Sequence, residues 1–126
     1  MTAQLQPVIE EFFAALDELD LDRLVPMFAD DVEEIDEVSR RWLRGKSEVM
    51  PHFTAFVAGA ANVKSVISNV HERAWGDVGV VTCSLDQVYT VDGGDASISA
   101  PTTFLLERQN GEWRIGLFHS YPLPEV

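Results

Sequence analysis

The sequence predicts an α+β domain in which helices pack on one face of an antiparallel sheet. Helical periodicity is confined to the chain before Gly59, the later segments are runs rich in valine, threonine and aromatics, and tight-turn residues separate those runs. Such a grouping of helices first and strands afterwards disfavours an alternating parallel fold.

The first helix is marked by Val8, Ile9, Phe12, Phe13, Leu16 and Leu19 at helical spacing, with Glu10, Glu11, Asp17 and Glu18 on the other side. A carboxylate at Asp20 or Asp22 then caps a short second helix carrying Leu24, Val25, Met27 and Phe28, although Pro26 restricts its course. The segment Val32–Gly45 has β-branched and aromatic residues around a polar centre and reads as two short strands or a strand with an irregular return. From Gly45 a third helix follows, with Val49, Met50, Phe53, Phe56 and Val57 as its apolar stripe, Pro51 limiting its first turn and Gly59 closing it. Turn signals at Gly76-Asp77, Asp92-Gly93-Gly94 and Asn110-Gly111 divide the remainder into consecutive antiparallel strands near 62–75, 78–91, 97–109 and 112–121.

A chain of 126 residues with 46% hydrophobic content suits a single domain over 1–126 with one core. The formal charge of -12 repels phosphate backbones and anionic lipid, so neither nucleic acid nor a membrane is an expected partner. Much of the acid lies between Asp17 and Glu37, where it reads as a solvated face. Cys83 is the only cysteine, which excludes an intramolecular disulfide and a cysteine-type zinc site. The N-terminus lacks a basic start followed by an apolar stretch, and no segment has the apolar length of a membrane span, so the expected compartment is the cytoplasm.

The order of elements and the ending ERQNGEWRIGLFHSYP resemble the nuclear transport factor 2-like superfamily, especially SnoaL-like domains and the association domain of calmodulin-dependent kinase. The helical opening that ends in LVPMFADDVEEID, the RGKSEV segment before the third helix, and the Gly-Glu-Trp-Arg-Ile strand leading to His119 and Ser120 carry this resemblance. It implies a cone-shaped fold: a curved antiparallel sheet wrapped around three N-terminal helices, with a pocket at the wide end. Isomerases, polyketide cyclases, dehydratases and non-catalytic assembly modules share that form, so individual residues must distinguish them.

Asp86, mid-strand in VVTCSLDQVYT, occupies a position where the resemblance places a polar group facing the cavity. A carboxylate between apolar walls is suited to act as a base or polar anchor, whereas the opposite strand phase would turn it to solvent with Thr82 and Ser84. The same register directs Phe104 and Phe118 to the cavity and Ser120 to its mouth, while Phe13, Met27, Trp42 and Phe53 line the remaining sides. His119 and His71 are secondary candidates as ligand donors or proton carriers, and the remaining histidine, His52, sits on the third helix without an assigned role. The spacing of these histidines forms no metal motif, so no metal is expected. Cys83 reads as a structural thiol, and Glu34 and Asp36 are rim carboxylates of the acidic run that would pair with Asp86 as acid and base. The DGGD turn lacks a lysine and a following helix and is a hairpin, not a phosphate cradle.

The leading expectation is therefore a cofactor-free pocket protein for a small, apolar organic ligand, with proton-transfer isomerase, cyclase or dehydratase chemistry at Asp86. The alternative is a non-catalytic module that dimerises or assembles through its sheet. Strands apolar on both faces favour a homodimer, with Val81, Cys83, Leu85 and Tyr89, together with Trp113, Ile115 and Leu117, assigned to the face turned away from the helices.

Overall fold

A computed structural model describes residues 4–36 and 40–121. Helix α1 spans Gln6–Asp17, and its buried stripe of Ile9, Phe12, Phe13, Ala15 and Leu16 is the one that the periodicity predicts. Asp20 caps the single-turn helix α2, Leu21–Leu24, by accepting from the backbone N–H of Arg23. A 3₁₀ turn at Val25–Met27 takes up Pro26, so the second helix ends before Met27, and Phe28 begins strand β1, Phe28–Asp36. Strand β2, Arg41–Arg44, returns beside it, and Gly45 in a left-handed conformation starts helix α3, Lys46–Gly59.

Four long strands complete the chain: β3 at Ala60–Trp75, β4 at Val78–Val91, β5 at Gly94–Gln109 and β6 at Glu112–Ser120. Asp92-Gly93 and Asn110-Gly111 each place two consecutive residues at positive φ, as tight hairpins between right-twisted strands require.

The sheet order is β2-β1-β6-β5-β4-β3. It is mixed, which corrects the expectation of an antiparallel sheet, because β1 pairs with β6 in parallel while the other neighbours are antiparallel. The long connection between β1 and β6 permits this pairing, which no tight turn could make. Its curvature has a local source in β3. The register of β3 against β4 shifts between Ala61 and Lys64 and again between Ser68 and His71, and Asn62 and Asn69 adopt positive φ within those bulges. Each bulge adds twist and bends the strand around the helical layer.

Helix α1 is held at both ends by β3. Glu72 accepts from the backbone N–H groups of Leu5 and Gln6 at 2.9 and 2.7 Å, satisfying free amides and opposing the helix dipole with a negative charge. At the other end, Asp17 accepts from the backbone N–H and the hydroxyl of Ser65 at 2.9 and 2.6 Å. Twelve helical residues rise roughly 18 Å, a length matched by the β3 segment between those two contacts.

Phe12 centres the core, with ring centroids of Phe13, Phe28, Phe53, Phe104 and Phe118 between 5.1 and 6.1 Å away. Val81, Leu85, Leu106 and Ile115 pack on this cluster from the sheet. The assignment of β4 and β6 faces made from sequence is thus corrected: Val81, Cys83, Leu85 and Ile115 are buried inward, and Trp113 packs against the core as a half-buried residue. Leu117 does face outward, paired with Leu105 and through it with Val80.

Candidate functional site

Three inward-facing strand positions bring polar groups to one end of the core. On β1 the inward phase that buries Val32 also buries Glu34, whose neighbours are Leu43 on β2 and Phe118 on β6. On β4 the phase that buries Val81, Cys83 and Leu85 continues to Gln87 and Tyr89. On β6 the phase of Phe118 continues to Ser120. These side chains, with Phe13, Leu16, His52, Phe53, Phe56, Leu85 and Ile98, line a cavity of about 220 Å³ open to solvent at one side.

One acid–base pair in this cavity joins α3 to β1. His52 Nε2 lies 3.2 Å from Glu34 Oε1, with the Glu34 side chain 4% exposed and that of His52 38% exposed. The imidazole stands edge-on to Phe53 with centroids 5.7 Å apart, which fixes its plane beside the aromatic wall. The pair thus sets a carboxylate withdrawn from water against an imidazole at the water-facing rim.

Two further hydroxyl and amide groups are oriented from behind. Gln87 Nε2 lies 2.9 Å from Ser65 Oγ, which is itself bound to Asp17. Ser120 Oγ lies 2.9 Å from Thr102 Oγ1, and Thr102 also donates to the carbonyl of Ala100 at 3.3 Å. The hydroxyl of Tyr89 belongs to a ring packed against Phe56, centroids 5.3 Å apart.

Asp86 does not reach this site. It is exposed on the outer face, where Ser99 donates to its carboxylate at 2.8 Å, so the inward base expected there is replaced by its neighbour Gln87. The physical reason is the two-residue period of the strand: the stronger apolar phase of β4 packs on the helices and turns Asp86 outward with Thr82 and Ser84. His119 lies opposite Thr103 on the outer face, and His71 is exposed opposite Thr82 beyond the second bulge of β3.

The aromatic positions divide. Phe13, Phe53, Phe118 and Ser120 stand at the cavity wall, whereas Phe104 is enclosed in the core behind it. Met27 packs against the core from the 3₁₀ turn, away from the cavity. Trp42 is exposed on the outer side of β2, its ring 5.6 Å from the guanidinium of Arg44. Each of these last three corrects a sequence expectation, Trp42 by one step of strand phase and the other two by depth.

Cys83 is a buried free thiol, and burial pushes its pKa up, as a structural rather than nucleophilic role requires. The side chain of Asp36, the other rim carboxylate, lies outside the described residues. Among the described residues no group of three or more His, Cys, Asp or Glu side chains is placed to hold a metal ion, and no helix is long and apolar enough to cross a membrane.

The sequence matches the SnoaL-like domain family over residues 5–124. The chain belongs to that family. This SnoaL-like domain shares its fold with solved structures of low sequence identity. A protein from Streptomyces avermitilis assigned as a dehydratase of the NTF2-like family superposes with a TM-score of 0.86 at 18% identity, covering 97% of this chain and 96% of that one. A ketosteroid isomerase-like protein from Erwinia carotovora atroseptica gives 0.80 at 15% identity, covering 96% and 95%. A protein from Xanthomonas campestris assigned as a calcium/calmodulin-dependent protein kinase II association domain gives 0.84 at 23%, covering 97% and 87%. No curated protein matches the sequence. These likenesses establish the NTF2-like fold of the SnoaL-like domain.

Proposed function

We propose that this SnoaL-like domain binds a small, mainly apolar organic molecule in the cavity and catalyses proton transfer on it without a cofactor, as an isomerase or dehydratase does. The observation that carries the reading is the Glu34–His52 pair, 3.2 Å apart at the end of an aromatic-walled cavity. Glu34, fixed in the sheet and screened from water, takes the proton from a carbon beside a carbonyl. His52, at the rim, exchanges that proton with solvent or returns it to the leaving hydroxyl. Phe13, Phe53 and Phe118 hold the apolar body of the substrate. The dehydratase and isomerase-like names of the structural relatives agree with this class of reaction.

The test is a panel of cyclic ketones and β-hydroxy ketones incubated with the protein in heavy water, with deuterium incorporation and water loss followed by NMR. Turnover of at least one compound, lowered about 100-fold or more by Glu34→Gln and by His52→Ala, is the expected result. A panel turned over equally by both variants removes the assignment.

A second role is favoured by the outer sheet face, where Val66 and Val88 are 53% and 50% exposed towards one end and Leu105 and Leu117 are half-buried beside Val80 further along the strands. We infer that this face joins two copies of the chain as a homodimer, which needs about 800 Å² per partner. Leu105→Lys with Leu117→Lys is expected to convert a dimer to monomer in light scattering, and a wild type that is monomeric at micromolar concentration contradicts the inference.

A further inference from the structure

We propose that Gln87 presents a fixed hydrogen-bond acceptor to the cavity and, as its specificity-determining residue, selects ring compounds that present hydroxyl groups. This deepens the functional reading above and rests on it, since it concerns what the same cavity admits.

The argument follows the hydrogens. An ionised carboxylate only accepts, so at 2.6 Å from Asp17 Oδ1 the single hydrogen of the Ser65 hydroxyl is committed to Asp17. The other Asp17 oxygen is held by the Ser65 backbone N–H at 2.9 Å, which leaves the carboxylate no freedom to swing away. Ser65 Oγ therefore accepts from Gln87, and the group that faces it at 2.9 Å must be the amide nitrogen. The side-chain amide of Gln87 cannot turn over without setting its carbonyl against an oxygen that has no hydrogen to give. Its Oε1 makes no hydrogen bond among the described residues, while Gln87 itself is buried and lines the cavity.

Ser120, the other inward hydroxyl of the wall, lies 2.9 Å from Thr102 Oγ1 in a contact that either hydroxyl can donate, so it meets a ligand hydroxyl as donor or acceptor. His52 and Tyr89 stand elsewhere on the wall, and among the described residues neither lysine nor arginine lines the site. A ligand carboxylate or carbonyl set against Gln87 Oε1 meets repulsion, whereas a hydroxyl donates to it.

Titration of the isotopically labelled protein with 1,3-dihydroxybenzene, 1,3-dimethoxybenzene and 1,3-difluorobenzene tests this by NMR. The last probe is smaller than the diol and so separates hydrogen bonding from size. The diol is expected to bind at least 10-fold more tightly than either donor-free analogue, with shifts at Gln87 and Phe118. Ser65→Ala, which keeps the backbone contact to Asp17 but frees the amide, should cut that preference to 3-fold or less, and Ser65→Thr should restore it. Gln87→Met, of equal length and without the oxygen, should also lose the preference, independently of any effect of Ser65→Ala on folding. Equal or tighter binding of a donor-free analogue, an unchanged preference in both Ser65→Ala and Gln87→Met, or no binding of any of the three compounds overturns the proposal. Glu34→Gln separates the two readings: it removes turnover if the proton-transfer reading holds, yet keeps a preference of 10-fold or more. A protein with that preference but no turnover loses only the reaction, and one with turnover but no preference loses only the acceptor site.

Discussion

On the inward face of β4, Val81 is fully enclosed by the phenylalanine cluster, whereas Gln87, on the same strand and the same phase, borders the cavity. One geometry yields two environments because the helices cover the first position closely and leave room over the second. In the closed half Phe12, Phe28, Val81, Leu106 and Ile115 form an apolar, fully buried cluster. In the open half the inward positions Glu34, Gln87 and Ser120 each exchange an apolar side chain for a polar one. The closed half sets stability, and the open half is where the proposed chemistry resides.

The sharpest way to break this division is in the closed half. Phe12→Ala removes the ring that five others touch and should lower unfolding stability by about 3–5 kcal/mol in urea titration. A loss below about 1 kcal/mol would mean that the closed half is loosely packed. Gly79→Ala comes next. A Cβ at Gly79 would lie 2.4 Å from a methyl of Leu5, a fully buried residue, so Leu5 must shift within a filled space. About 1–3 kcal/mol of destabilisation is expected by calorimetry.

In the open half the expectation reverses. Gln87→Met exchanges a residue beside unfilled volume for one of similar length and should change stability by less than about 1.5 kcal/mol while altering ligand preference. A cost equal to that of Phe12→Ala would erase the distinction between the two halves.

The smallest effect concerns Cys83. Burial raises its pKa in the native state, so above the ordinary thiol range the unfolded chain releases a proton that the native chain retains. Native stability from this thiol is therefore constant at neutral pH and falls as pH rises past the ordinary value. Cys83→Ala should flatten that decline relative to wild type between about pH 8 and 10, measured as the difference in urea midpoints. A parallel decline in both proteins would show that the thiol is not desolvated.

Much of the architecture was legible in the sequence because long elements carry their own periodicity. Helix α1, the four long strands and their turns follow from apolar spacing and from residues that tolerate positive φ, such as Asn110-Gly111. The parallel partnership of β1 and β6 was not legible, since a nonlocal pairing leaves no mark in either strand. On β4 the expected site residue falls one position out of phase, whereas Phe118 and Ser120 on β6 fall in phase. On β4, Val80 and Val88 gave the outer face apolar character as well, so alternation alone did not distinguish the faces, and Asp86 drew attention as the charged residue.

A usable signal did exist: Val81, Cys83, Leu85 and Tyr89 share one phase, and Gln87 is the polar residue that interrupts it. A polar residue within the more apolar phase marks a cavity more securely than a charge within the mixed phase. Glu34 belonged to the acidic run that reads as solvated surface, and only the approach of His52 from α3 distinguishes it. That approach depends on how the helix sits over the sheet, which the spacing between residues 34 and 52 does not encode.

Methyl NMR locates the ligand most directly. With the tightest binder from a metabolite library, the account predicts shifts at Leu16, Leu85 and Ile98, which line the cavity, and none at Val66, Val80 and Val88, which share the outer face with Asp86. Shifts confined to those three valines would place the ligand on the sheet exterior and contradict the assignment of function to the open half of the core.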